Sequence, residues 1–226
     1  MSRARTSNQE NGQTAATSNG SGCLSLYSLP ILSIFTITFL ITALSLSTPV
    51  TISASSQIHS ANLSPIFTQE IQYWAKDITR WANASSLDPN LVATVMQIES
   101  CGDPRAVSSA GAMGLFQVMP YHFQTNENPY NPNTNALRGL GYLSRSLNTA
   151  RGNVRLALAG YNGGIGVIPR GEWTWASETM RYVYYGAPIY EDARAGLTAS
   201  PTLEEWYRKY GAGLCRQASA RLGITP

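Results

Sequence analysis

Asp88-Pro89-Asn90-Leu91-Val92-Ala93-Thr94-Val95-Met96-Gln97-Ile98-Glu99-Ser100 reads as a helix that ends on a carboxyl. Asp88 is a good N-cap, and Pro89 suits the first helical position. Leu91, Val92, Val95 and Ile98 then recur at helical spacing. Glu99 comes seven residues after Val92 and four after Val95, on their face. That face must be buried, so the carboxyl loses hydration and its pKa rises. The negative end of the helix dipole opposes ionisation further. Both effects leave a protonated carboxyl near neutral pH, the state a general acid needs. A lone glutamate in such a pattern would ordinarily turn out to solvent. The stretch that follows, Ser108-Ser109-Ala110-Gly111-Ala112-Met113-Gly114-Leu115-Phe116-Gln117-Val118-Met119-Pro120, favours a site instead, because its glycines let backbone come close to a ligand.

Working outward, Ser64-Pro65 predicts the cap of an earlier helix, with Ile66, Ile71, Trp74, Ile78 and Trp81 on its core stripe. A third helix is expected after Asn135, with Leu137, Leu140, Leu143 and Leu147 on one face, and Gly139 and Gly141 marking close helix contacts. A fourth covers Val154 to Tyr161 and stops at Gly163-Gly164. Helical patterns return around Ser177–Tyr185 and after Ser200-Pro201. No series of alternating strands occurs. The fold class is therefore mainly α, with at most a short β-hairpin near Gly111–Val118 and a hydrophobic helix ahead of it.

The chain has 226 residues, of which only 13% are charged, so part of it is not ordinary globular surface. Residues 1–22 are polar and read as a disordered tail. Residues 23–47 are expected to be a transmembrane anchor or a signal segment. Leu24 to Leu46 gives 23 residues without a charge, against about 20 for a bilayer crossing, although Pro30 and seven Ser or Thr interrupt it. An uncleaved anchor is the preferred reading; Ser53-Ala54-Ser55 would serve a cleaved signal. Arg3 and Arg5 precede the run and no Lys or Arg follows until Lys76, which places the amino terminus inside. Either way the rest of the chain lies outside the cytoplasm, as a single-pass membrane protein or a secreted one. Residues 48–63 read as a flexible linker and 64–226 as the globular domain.

A net charge of +3 favours neither nucleic acid nor a polybasic membrane patch. Cys23, Cys101 and Cys215 have no zinc spacing, and the Asn-rich loop around Glu127 lacks calcium ligands, so no metal or other cofactor is expected. Cys101 and Cys215 are either a pair, if the chain is exported, or two separate buried thiols. Most glycosidases need two carboxylates. Between Glu99 and Glu172 the only acids are Asp103, which reads as a turn-former, and Glu127. A one-acid mechanism fits more simply.

Four blocks then carry a resemblance over roughly residues 85–185. They are Glu99-Ser100 with Ser108, Gly111-Ala112, Gly114-Leu115, Gln117 and Met119-Pro120; Asn135 with Gly139 and Tyr142-Leu143; Gly152-Asn153 with Ala157-Leu158-Ala159-Gly160-Tyr161-Asn162-Gly163-Gly164; and Glu178-Thr179 with Tyr182-Val183. In this order they resemble the soluble lytic transglycosylase family, glycoside hydrolase family 23, of the lysozyme-like superfamily. The resemblance implies a lysozyme-like helical domain that cuts peptidoglycan between N-acetylmuramic acid and N-acetylglucosamine. It implies that Glu99 is the sole catalytic residue, protonating the glycosidic oxygen and then taking the proton of the C6 hydroxyl as that group closes a 1,6-anhydro ring. The substrate's N-acetyl group would stabilise the charge at C1.

Carried over residue by residue, Ser108 would hydrogen-bond substrate near the cleavage point, and Gln117 and Asn162 would contact N-acetyl or hydroxyl groups. Met119 would line the same subsite, Tyr161 would hold its hydroxyl near Glu99 or the N-acetyl group, and Glu178 would support the site. The chain departs from the family pattern at Phe116, where Met is common, and at Gly160 and Gly163, where Ala is common. A Cys101–Cys215 disulfide would tie the carboxy-terminal helix to the helix of Glu99. Trp173, Trp175, Tyr121, Tyr130 and Tyr184 are aromatics that stack on sugars or pack in the core. The expected partners are glycan strands and, through the N-terminal segment, the membrane, with the domain acting as a monomer. A water-using muramidase and a non-catalytic wall-binding module are the alternatives.

Overall fold

Residues 63–224 are described by the computed structural model. The tail, the hydrophobic segment and nearly all of the linker lie outside the described residues. Three helices open this part of the chain: α1 (Gln69–Tyr73), α2 (Ala75–Ser85) and α3 (Pro89–Ser100), the last being the helix of Glu99. Asp88 caps α3 as its position predicts, accepting the Asn90 N–H at 2.7 Å. α4 (Pro132–Thr149), α5 (Val154–Gly163) and α6 (Ser177–Arg194) follow. α7 (Pro201–Trp206), a π-helical turn (Tyr207–Gly211) and α8 (Ala212–Leu222) end the described chain. α5 packs between α4 and α6, while α3 packs against α2, α6 and α8.

The mainly helical reading holds, but several boundaries move. The expected hairpin is reduced to isolated bridges pairing Val107 with Met113 and Met113 with Val118, and there is no strand among the described residues. Ser64-Pro65 does not start a helix: α1 begins at Gln69, and the Ser64 backbone N–H is instead used by the Asn90 side chain at 3.0 Å. The stripe it was meant to open is real, with Ile71, Trp74, Ile78 and Trp81 all buried, but Trp74 divides it between α1 and α2. α4 is capped by Asn131, not Asn135, because Pro132 fits the first helical turn; Asn131 accepts the N–H of Asn133 and of Thr134. On α4 the buried face is Ala136, Leu140 and Leu143 with Leu147 packed beside them, and Leu137 is 65% exposed.

Of the two glycines expected at helix contacts, Gly139 makes one. A Cβ there would stand 2.6 Å from the Phe116 Cβ, whereas nothing lies within 4 Å of the same point at Gly141. Phe116 is fully buried and meets Trp81 edge-on, with ring centroids 6.1 Å apart, so this departure from the family pattern is a core change.

Cys101 and Cys215 are both buried, and their sulfur atoms lie 1.96 Å apart, at bonding distance, across 114 residues of sequence. Beside them Glu70 is buried and accepts a hydrogen bond from the Ser219 hydroxyl. Glu70, Cys101 and Cys215 also form a group of potential metal ligands, whose sulfurs would have no thiolate to offer once joined as a disulfide. Among the described residues no helix is long and apolar enough to cross a membrane.

Candidate active site

Glu99 lies at the waist of a cleft. On one side is a cavity of about 330 Å³ lined by Ser108, Gln117, Met119, Tyr121, His122, Tyr142 and Tyr161. On the other is a cavity of about 190 Å³ lined by Ile98, Arg181, Tyr182, Tyr185, Trp206, Tyr210 and Leu214. Glu99, Asn162 and Glu178 line both. All seven residues expected at the site therefore come together. α3 supplies Glu99, the turn after it supplies Ser108, Gln117 and Met119, the end of α5 supplies Tyr161 and Asn162, and the first turn of α6 supplies Glu178.

The electrostatics at Glu99 follow from that position. Loss of hydration is the largest effect and pushes its pKa from 4.5 up to about 8. The Tyr182 hydroxyl opposes this by offering the carboxylate a hydrogen bond, and the negative charge of Glu178 raises the value again. Tyr182 is a buried residue whose hydroxyl reaches no partner in full hydrogen-bond geometry. The Tyr161 and Tyr182 hydroxyls are themselves pushed well above 10.0, first by burial and then by the charge of Glu99. Glu99 is thus a carboxyl that holds its proton near neutral pH, flanked by two phenols that remain neutral.

The neighbouring groups are held by local structure. Tyr161 donates its hydroxyl to the Phe116 carbonyl at 2.6 Å, which fixes the ring over the glycine-rich turn. Asn135, buried at the head of α4, donates to the Met113 and Pro129 carbonyls and accepts the Phe116 N–H at 2.9 Å, fastening the same turn from beneath. Gln117 sits at φ +45, a left-handed conformation costly for a residue with a side chain. Its amide nitrogen donates to the Ala106 and Gly114 carbonyls, at 3.2 and 3.0 Å, and stabilises that bend. Ser108 accepts the Ala112 N–H at 3.0 Å. Asn162 Oδ1 accepts the Thr179 hydroxyl at 2.9 Å. Gly163 makes room for this, since a Cβ there would lie 2.7 Å from Thr179 Oγ1.

The other acids are committed elsewhere. Asp103 is buried and accepts from the Arg105 N–H and the Gln217 amide, with Arg221 at 3.4 Å. Glu127 is held by both arms of Arg138, at 2.8 and 2.6 Å, and Glu172 by Arg155. None of the three lines either cavity. Glu178, exposed at the start of α6, is the one other carboxylate that does.

Of the aromatics singled out in the sequence, Tyr121 alone reaches the cleft, 74% exposed. Trp175 is buried and donates its indole N–H to the Val167 carbonyl, because it closes the loop under α6. Trp173, Tyr130 and Tyr184 line neither cavity. The sequence reading missed His122, whose ring lies between those of Tyr121 and Tyr142 with centroids 4.5 and 5.0 Å away. Burial, and then the charge of Arg145, lower its pKa. It also missed the wall made by Arg181, Tyr185, Trp206, Tyr210 and Leu214, which no local pattern links to Glu99.

A carboxyl whose pKa is pushed up to about 8, on the shared lining of two adjoining cavities, is a candidate general acid. Residues 76–176 match the family model described as Transglycosylase SLT domain. Over that segment the chain is similar to transglycosylase SLT domains. It is similar to a transglycosylase of Enterobacteria phage PRD1, with 37% identity over 114 residues, 50% of this chain and 40% of the relative. The match thus spans less than half the length of that curated relative. Among solved structures it is similar to an inactive mutant of lytic transglycosylase Slt from Pseudomonas aeruginosa, at 24% identity and a TM-score of 0.44, covering 55% of this chain and 24% of that one. The family segment ends before Glu178 and Arg181, so most of the smaller cavity's lining lies beyond it.

Proposed function

We propose that the chain is a lytic transglycosylase of lysozyme-like fold. It would cut peptidoglycan between N-acetylmuramic acid and N-acetylglucosamine and leave a 1,6-anhydro end, in remodelling of the bacterial cell wall. The observation that carries this is the state of Glu99: one carboxyl, desolvated to a pKa of about 8, midway along a cleft open on both sides. A polymer strand lying along the cleft presents its glycosidic oxygen to that carboxyl, which protonates the leaving group. Charge then develops at C1, where the substrate's own N-acetyl group stabilises it.

Glu99, now a carboxylate, takes the proton of the C6 hydroxyl as that oxygen bonds to C1. The same pKa serves both steps, since an acid poised near working pH is also a competent base when ionised. Asp103, Glu127 and Glu172 are bound elsewhere, and a substrate that supplies its own nucleophile needs no second catalytic carboxylate. Glu178 acts through charge: it favours the protonated form of Glu99. Ser108, Gln117, Met119, Tyr161 and Asn162 line the cleft as binding residues. Tyr161 also holds the glycine-rich turn through the Phe116 carbonyl.

Export fits the Cys101–Cys215 pair, which would form where disulfides persist, with the domain outside the cytoplasmic membrane as an anchored or secreted monomer. Thiol titration of denatured, unreduced protein checks the pair: two free thiols beyond Cys23 would reject it. For the activity, Glu99→Gln keeps the shape and removes the proton. Turbidity clearing of purified sacculi should fall by about a hundredfold or more. Clearing at the wild-type rate would show that Glu99 is not the acid.

A further inference from the structure

The smaller half of the cleft has a feature that proton transfer does not use. Among the described residues lining the two halves, Arg181 is the one permanent cation. It is exposed, and no carboxylate lies within ion-pair distance of it among the described residues, although Glu178 stands one turn away on the same helix. Its guanidinium is instead set over the ring of Tyr210, 5.3 Å from the centroid. Tyr210 belongs to the π-helical turn and is braced edge-on by Tyr185, with centroids 5.6 Å apart. The guanidinium is therefore positioned by stacking while its N–H fork stays free. That arrangement suits a planar carboxylate arriving from solution.

We propose that Arg181, posed on Tyr210, is a specificity residue that engages a carboxylate of the peptide stem carried by the glycan, so that strands bearing peptides are preferred over bare ones. The inference rests on the peptidoglycan reading. A bare strand of N-acetylated sugars offers this half of the cleft only the carboxylates attached directly to its muramyl lactyl groups. Peptide stems extend carboxylates away from the sugar axis, toward a cleft wall. The residues that make the reader, Arg181 and Tyr210, lie beyond the matched family segment, so the preference belongs to this chain's own carboxy-terminal wall.

The test compares initial rates on peptide-bearing strands and on strands stripped of peptide by an amidase, for wild type, Arg181→Gln and Arg181→Lys. For wild type the ratio of kcat/KM should favour peptide-bearing strands by about three- to fivefold, the range for an exposed ion pair. The preference should reside in KM and shrink in high salt. Arg181→Gln should bring the ratio close to one, and Arg181→Lys, which keeps the charge but loses the fork, should retain part of it. Equal ratios in wild type and Arg181→Gln overturn the inference while leaving the activity standing. If wild type cuts neither strand, the peptidoglycan reading falls and takes this inference with it.

Discussion

Glu99 makes most of its chemistry from position. A carboxyl in water is ionised at neutral pH; this one is kept protonated because α3 drives it against the core with Val92 and Val95, and desolvation outweighs the hydrogen bond from Tyr182. Activity should therefore fall on the alkaline side with a midpoint near pH 8, as the acid loses its proton. Glu178 contributes by repulsion, so Glu178→Gln lowers the Glu99 pKa and moves that midpoint to lower pH; an unmoved midpoint in the pH–rate profile would contradict the role. The place of Glu99 on the apolar face was readable from the sequence because it depends on spacing within one helix; that the side chain is only half-buried, with the two cavities beside it, was not. The influence of Tyr182, Arg181 and Tyr210 was not, since each reaches Glu99 or the cleft from elements distant in the chain. Asp103 and Glu127 read in the sequence as a turn-former and a loop residue, and their hydrogen bonds engage them away from both cavities.

At the scale of elements, the site depends on how the glycine-rich turn is clamped between α4 and α5. Gly139 lets α4 approach Phe116, whose carbonyl then receives the Tyr161 hydroxyl. Gly139→Ala puts a methyl 2.6 Å from the Phe116 Cβ and must displace the turn. Thermal unfolding should register about 1–3 kcal/mol of lost stability, with activity reduced as Gln117 and Tyr161 shift. A variant with wild-type stability would show that the contact is slack. Helix identities were legible from periodicity, but their starts were less so. Ser64-Pro65 and Asp88-Pro89 are the same signal in sequence, yet only the second caps a helix; at the first, the Ser64 N–H is bound by Asn90 from α3. Asn135 looked like a helix start because asparagine favours caps. Its side chain instead satisfies three backbone groups of the turn and loop, a tertiary use that no local pattern encodes.

At the scale of the molecule, the carboxy-terminal wall meets the helix of Glu99 where Cys101 and Cys215 lie side by side. Cys101 follows Glu99-Ser100 directly, and Cys215 lies on α8 beside Leu214, which lines the cleft. The proposed link, across 114 residues, would restrict the unfolded chain strongly. Reduction, or Cys215→Ala, should lower stability by about 2–5 kcal/mol in chemical denaturation. An unchanged midpoint would mean that the two sulfurs are not joined in the folded protein. The cleft as a whole was legible only in part. Its larger half is built mostly from motifs in the matched segment, whereas its smaller half gathers α6, α7, α8 and Tyr210 of a π-helical turn, elements that no local pattern joins to Glu99.

On this proposal Glu99 serves as acid and then base on a substrate that closes its own ring. Mass spectrometry of the fragments released from purified sacculi distinguishes that ring closure from hydrolysis. Muramyl ends in the 1,6-anhydro form are expected, lighter by one water than hydrolysed ends and resistant to borohydride reduction. Reducing muramyl ends without anhydro species would contradict it and make the protein a hydrolase.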